Sequence, residues 1–119
     1  MKKILIVDDS YVARIYLESL LEGHGYVLGQ AEDGQAALEM MEHEPPHAMI
    51  IDLLMPRMTG IQLLEVLQDY KNRPEVIVVS ADIQESTRQR CEELGAKAFL
   101  SKPVMQRELL KKVNQLFNS

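Results

Sequence analysis

Apolar and polar positions along this chain are grouped in blocks. Ile4-Leu5-Ile6-Val7, Met49-Ile50-Ile51, Val76-Ile77-Val78-Val79 and Phe99-Leu100 are unbroken apolar runs. Runs of this length without alternation suit strands covered on both faces. They predict strands over 3–7, 48–52, 75–79 and 97–101, with a fifth, least apolar, within 26–31. Between them apolar residues recur at helical spacing. Ala13, Tyr16, Leu17, Leu20 and Leu21 mark a helix over about 10–22 that Gly23 ends. Asp33 offers the N-cap of a second helix through Ala37, Leu38 and Met41, closed by Pro45-Pro46. Thr59 and Gln62 read as a capping box for a third, running to about Tyr70 with Ile61, Leu64 and Leu67 inward. Asp82 and Glu85 read as a second capping box for a helix that ends at Leu94-Gly95. The last helix, about 106–117, turns Leu109, Val113, Leu116 and Phe117 inward.

The fourth helix stands apart, because its inward candidates are only Ile83, Thr87, Cys91 and Leu94. At roughly 25 cal/mol per Å² of apolar surface, so thin a stripe holds a helix weakly. Strand and helix alternate five times over 1–119 without linker or repeat. That pattern predicts one α/β domain, a doubly wound five-stranded parallel sheet with right-handed crossovers. Strand order 2-1-3-4-5, the flavodoxin-like (βα)5 arrangement, puts its switch point between the first and third strands.

Composition narrows the function. At 46% apolar and 26% charged, the chain is ordinary globular sequence. Thirteen basic against eighteen acidic residues give a net charge of −5, which argues against direct nucleic-acid binding. No apolar stretch approaches the ~20 residues of a membrane span. The Met-Lys-Lys start lacks a secretory core, since Asp8-Asp9 interrupts the apolar run after four residues. Cys91 is the only cysteine, which excludes an internal disulfide and suits a reducing cytoplasm. A structural, half-buried position is expected for it. His24, His43 and His47 carry no visible chemistry, and Pro45-Pro46 keep His43 and His47 off a shared helical face.

The chemistry lies where the apolar runs stop. Asp8-Asp9, Asp52, Ser80 and Lys102 follow the four runs, so parallel strands would bring three carboxylates, a hydroxyl and an ammonium to one carboxyl edge. Ligands bind at that edge in open α/β sheets. Carboxylates about 5 Å apart repel by roughly 3 kcal/mol per pair at an effective dielectric of about 20. Such a cluster needs a proton or a cation, and hard oxygen donors beside an incoming phosphate select Mg²⁺. Asp52, on the central strand, is the candidate phosphoryl acceptor, since a carboxylate can form an acyl phosphate. Lys102 can pair with it before reaction and with a phosphoryl oxygen afterwards. Helix capping by Asp8 or Asp9 is compatible with metal binding.

The strings "ILIVDDS", "IIDLLMPRMTG", "VIVVSA" and "GAKAFLSKP" resemble, in order and spacing, the receiver domain of two-component response regulators. Each string alone is weak, whereas the ordered set is specific and covers the whole chain. The resemblance implies phosphorylation at Asp52 with Mg²⁺ on Asp8, Asp9, Asp52 and the Leu54 carbonyl, and Lys102 and Ser80 contacting the phosphoryl group. It further implies a cis Lys102–Pro103 peptide and a switch formed by Ser80 and Phe99, although Phe99 read by itself is simply a core aromatic. By the same resemblance, Leu54 and Asp82, two residues after Asp52 and Ser80, occupy variable positions that shape access of the hydrolytic water, which an apolar Leu54 cannot orient and a carboxylate at Asp82 could. Met105 stands where a capping side chain is expected.

The implied partners are a sensor histidine kinase or phosphotransfer protein, and a target bound through the fourth helix, fifth strand and fifth helix. The domain would be a monomer or a phosphorylation-dependent dimer, not an enzyme beyond handling its own phosphoryl group. Within the family it resembles, "GAKAFLSKP" lacks the paired acidic residues of the winged-helix regulator subfamily, which leans towards a stand-alone, chemotaxis-type regulator; a receiver domain cut from a larger regulator with an output domain is the alternative. An Mg²⁺-dependent phosphatase with an aspartate nucleophile would use similar groups but needs an added cap. A flavin carrier of this fold would need a phosphate loop where "VDDSYVAR" places carboxylates.

Overall fold

The computed structural model describes residues 1–82 and 84–118. Along the chain run β1 (Lys3–Val7), α1 (Tyr11–Leu21), β2 (Val27–Ala31), α2 (Gly34–His43) and β3 (Ala48–Asp52). They are followed by α3 (Gly60–Leu67), β4 (Glu75–Ser80), α4 (Glu85–Glu93), β5 (Ala98–Ser101) and α5 (Gln106–Asn118). All strand pairs are parallel and the order is β2-β1-β3-β4-β5. The expected doubly wound, flavodoxin-like fold is therefore the observed one.

The unbroken apolar runs are explained by two cores. Leu5, Val7, Met49, Ile51, Val76 and Val78 face one layer with residues of α2, α3 and α4. Ile4, Ile6, Ala48, Ile50, Ile77 and Val79 face the other with Leu17 and Leu21 of α1 and Leu109 and Val113 of α5. β2 is an edge strand, and only its last residue, Ala31, is buried, which accounts for its faint sequence pattern. No helix among the described residues is long and apolar enough to cross a membrane.

Caps explain most helix starts. Ser10 and Asp33 accept from the amides of Ala13 and Ala36, and Thr59 with Gln62 forms both halves of a capping box. Two inward faces differ from expectation. Leu63, beside Leu64, is fully buried while Ile61 is only partly so, a slight rotation of α3. Tyr16 is 43% exposed, its hydroxyl donating to the Val104 carbonyl at 2.6 Å, so its ring lies at the rim rather than in the core.

The start of α4 departs further. Helix geometry begins at Glu85 with Gln84 at the cap and no side-chain capping bond, so the Asp82–Glu85 capping box does not form. The Asp82 amide donates to Ser80 Oγ at 3.0 Å, tying this residue to the strand end. Its carboxylate accepts from the Gln84 amide at 2.9 Å and the Thr87 hydroxyl at 3.1 Å. The expected inward residue Ile83 lies outside the described residues. Within α4 only Cys91 is buried. It is fully rather than half buried, and burial, helped by the Asp82 charge, pushes its thiol pKa up. Polar links replace apolar packing, with Arg90 3.1 Å from Glu65 and Gln68 Nε2 donating to the Leu94 carbonyl.

Gly60, the first residue of α3, lets that helix approach the end of β3. A Cβ there would lie 2.7 Å from the Asp52 carbonyl oxygen, 2.7 Å from Leu53 Cα and 2.8 Å from Leu53 Cδ2. Backbone cannot yield as a flexible side chain can. Gly60→Ala is therefore expected to cost about 1–3 kcal/mol in urea unfolding. A midpoint equal to wild type would refute this close contact.

Candidate functional site

The sheet register assembles the site. Val7 pairs with Ile51, Asp52 with Val79, and Ser80 with Ser101. Asp8, Asp52, Ser80 and Lys102 thus leave neighbouring strands at the same edge, on either side of the switch point. Ligand oxygens of Asp8, Asp9 and Asp52 lie within 4.8 Å of one another. Asp8 and Asp52 are 1% and 5% exposed, while Asp9 is open to solvent.

Asp8 is held at each carboxylate oxygen, Oδ1 accepting from the Ser10 amide at 2.9 Å and Oδ2 from Lys102 Nζ at 3.1 Å. Lys102 Nζ also lies 3.6 Å from Asp52 Oδ1, so one ammonium serves both buried carboxylates. The Lys102 amide donates to the Ser80 carbonyl at 2.9 Å, and the Lys102–Pro103 peptide is cis. Ser80 is buried at the end of β4. Phe99 is half-buried and packs against the α2–α4 side of the core. Leu54, two residues beyond Asp52, is 63% exposed.

Burial, and then the Asp8 charge, raise the Asp52 pKa; Lys102 and the Leu54 amide oppose this without cancelling it. A carboxyl raised in the folded state favours folding when protonated, and that contribution is lost as pH rises through its native value. Ionised Asp52 therefore costs stability at neutral pH. In chelator at pH 7, Asp52→Asn is expected to melt above wild type, and Mg²⁺ should stabilise wild type more than the variant. A lower melting temperature for the variant in chelator would contradict this balance.

One ammonium against three carboxylates leaves the cluster short of positive charge. Two buried donors behind an exposed third leave an open approach, and the all-oxygen set fits a hard divalent cation such as Mg²⁺.

Several contributors to this edge were not legible in the sequence. Arg57 adopts φ +65° in the β3–α3 loop and pairs with Asp33 at 3.0 Å. Met58 packs over Gly34, where a Cβ would collide with its sulfur. Arg14 reaches the carbonyl of Asp8 and is held by Gln30 on β2. At the opposite end of the sheet His47 accepts the Lys3 amide on Nδ1 at 3.0 Å.

An acidic triad beside a lysine and a buried serine, at the switch point of a five-stranded parallel sheet, defines the receiver class. The response regulator receiver domain family matches residues 4–114, and this chain belongs to it, a receiver domain of two-component signalling. It is 34% identical to protein PilH of Pseudomonas aeruginosa, over 96% of each chain. It is 35% identical to the sensory/regulatory protein RpfC of Xanthomonas campestris over 91% of this chain but 15% of that protein. Several other curated relatives, such as the response regulator MprA of Mycobacterium ulcerans, are matched over about half their length, 49% in that case. Among solved structures, chemotaxis protein CheY4 of Vibrio cholerae superposes with TM-score 0.88 at 28% identity, covering 98% of both chains. A CheY-like receiver domain of Methanospirillum hungatei gives TM-score 0.89 at 30% identity, covering 97% of this chain and 92% of that one.

Proposed function

We propose that residues 1–119 form one receiver domain acting as a phosphorylation-controlled switch, with Asp52 accepting a phosphoryl group from a phosphohistidine on a sensor histidine kinase or phosphotransfer protein. The observation that carries this reading is the convergence of Asp8, Asp9 and Asp52 around the single ammonium of Lys102. An Asp52 carboxylate oxygen attacks phosphorus, and the new O–P bond forms as the donor's N–P bond breaks. The bonding pair returns to the imidazole nitrogen, and the product is an acyl phosphate. Asp8, Asp9, Asp52 and, following the family resemblance, the Leu54 carbonyl would hold Mg²⁺, which would supply charge neutralisation for the transferring group.

Lys102 exchanges its carboxylate partner for a phosphoryl oxygen. Because its amide also donates to the Ser80 carbonyl, the loop that senses the new charge is tied to the end of β4. Ser80 Oγ accepts from the Asp82 amide and still has its proton to donate to the phosphoryl group. That donation would draw β4 and the segment leading to α4 towards Asp52, with Phe99 following on β5. Target binding is assigned to the α4–β5–α5 face. A groove of about 490 Å³ beside Lys102, lined by Val12, Tyr16, Pro103 and Val104, gives a protein donor apolar surface next to the acceptor. Leu54 offers no group to orient a hydrolytic water, which leaves that role to the Asp82 carboxylate, now accepting from the Gln84 amide and the Thr87 hydroxyl. The chain is not assigned turnover of an external substrate, and a monomer or a phosphorylation-dependent dimer is the state expected in the cytoplasm.

Lys102→Ala tests the coupling. It is expected to accept one phosphoryl group from acetyl phosphate, about 10²-fold more slowly. Once phosphorylated, it should show little of the wild-type change in amide exchange beyond the site. An unaltered exchange response would remove Lys102 from the link between phosphorylation and β5.

A further inference from the structure

Asp9 is the least secured of the three carboxylates. It is solvent-exposed, and among the described residues no hydrogen bond or ion pair holds its side chain. Its place in the cluster therefore depends on the backbone that carries it. That backbone is the Asp8–Asp9 peptide, and its carbonyl accepts a 2.6 Å hydrogen bond from Arg14 NH1, the short contact of a charged donor.

The Arg14 guanidinium is itself fixed. Arg14 lies one turn into α1, and its Nε donates to Gln30 Oε1 on β2 at 2.9 Å. Gln30 Nε2 in turn donates to Glu18 Oε2 at 2.8 Å, one further turn along α1. The guanidinium lies over the Tyr11 ring at 5.6 Å, which restricts it from the remaining side. The planar fork thus spans two acceptors, one on the loop and one on the neighbouring strand, as an ammonium could not. Asp8 is anchored independently, through its amide to the Ala31 carbonyl at 3.2 Å and through its carboxylate to Ser10 and Lys102. Rotation of the next peptide would leave Asp8 in place and swing Asp9 out of the cluster.

We propose that Arg14, clamped by Gln30, is a positioning residue that sets the Asp8–Asp9 peptide so that the Asp9 carboxylate meets Asp8 and Asp52. The proposal rests on the reading of these carboxylates as an Mg²⁺ site. Charge and position predict opposite signs. If Arg14 acted only as a nearby cation, its removal would tighten Mg²⁺ binding by relieving repulsion. As a positioning residue, its removal weakens binding, by the 10–100-fold typical of groups that orient metal ligands.

The test is calorimetric Mg²⁺ titration of wild type, Arg14→Gln, Arg14→Lys and Gln30→Ala, with the Asp9 amide resonance followed by NMR in metal-free protein. Both Arg14 variants are expected to bind about tenfold or more weakly, with Gln30→Ala changed in the same direction by a smaller factor. The metal-free Asp9 amide should shift in all three. Binding by Arg14→Gln that equals or exceeds wild type would overturn the proposal, as would an unshifted Asp9 amide. If Arg14→Gln failed to fold, Gln30→Ala alone would decide by the same two readouts. If wild type itself bound no Mg²⁺, the metal reading would have failed, while the Asp9 resonance would still support or overturn the role of Arg14.

Discussion

Asp52→Ala is expected to take up no phosphoryl group from acetyl phosphate and Mg²⁺ under conditions where wild type takes up one. The loss should be complete, because Asp8 and Asp9 cannot substitute for it. Asp8 is committed at both oxygens, to Ser10 and Lys102. Asp9 sits at the solvent-facing side of the cluster, whereas Asp52 ends the central strand β3 with Lys102 Nζ 3.6 Å from its Oδ1. Catalysis of phosphoryl transfer is mostly positioning and charge stabilisation, and Asp52 combines a neighbouring ammonium with a carboxylate not already hydrogen-bonded at both oxygens. Intact-mass measurement decides the matter. A full shift persisting in the variant would sink the assignment.

Asp9→Asn is expected to lower Mg²⁺ affinity by at least about tenfold, equivalent to about 1.4 kcal/mol, and to slow phosphoryl uptake accordingly. The variant keeps the shape and removes one of three charges from a donor set whose other members are buried. It removes repulsion as well, so the metal-free protein should not lose stability. His24→Ala and Cys91→Ser should leave Mg²⁺ affinity unchanged, because neither belongs to the carboxylate cluster. Calorimetric titration compares all three. Wild-type affinity in Asp9→Asn would place the metal elsewhere.

The sheet was readable because strands buried on both faces must be apolar without alternation, and β1, β3 and β4 are. The site residues were readable for the same reason, since a charged residue directly after such a run lies at the sheet edge. What escaped was anything decided by tertiary contacts. The start of α4 was misplaced because Asp82 has two possible roles, and its attachment to Ser80 selects the turn over the cap. Leu63 gave no better signal than Ile61, because which of two apolar residues on α3 turns fully inward is decided by how the helix packs on the sheet. Arg14 and Gln30 lie sixteen residues apart on different elements, and nothing in their spacing shows that they meet beside Asp8.

In the proposed switch, charge at Asp52 is read out on α4, β5 and α5. The sparsely packed α4, held by Cys91 and polar links, is the element a modest free energy can shift. Allosteric coupling is typically ~1–3 kcal/mol, enough for such a helix and too little to reorganise the packed core around α2. Hydrogen exchange with mass detection, with and without beryllofluoride and Mg²⁺, measures this directly. The largest change is expected within residues 80–113 and the smallest around Ala37 to Met41, with no response in Asp52→Ala. A largest change in α2, or none beyond Asp52 and its adjoining loop, would contradict the proposed switch.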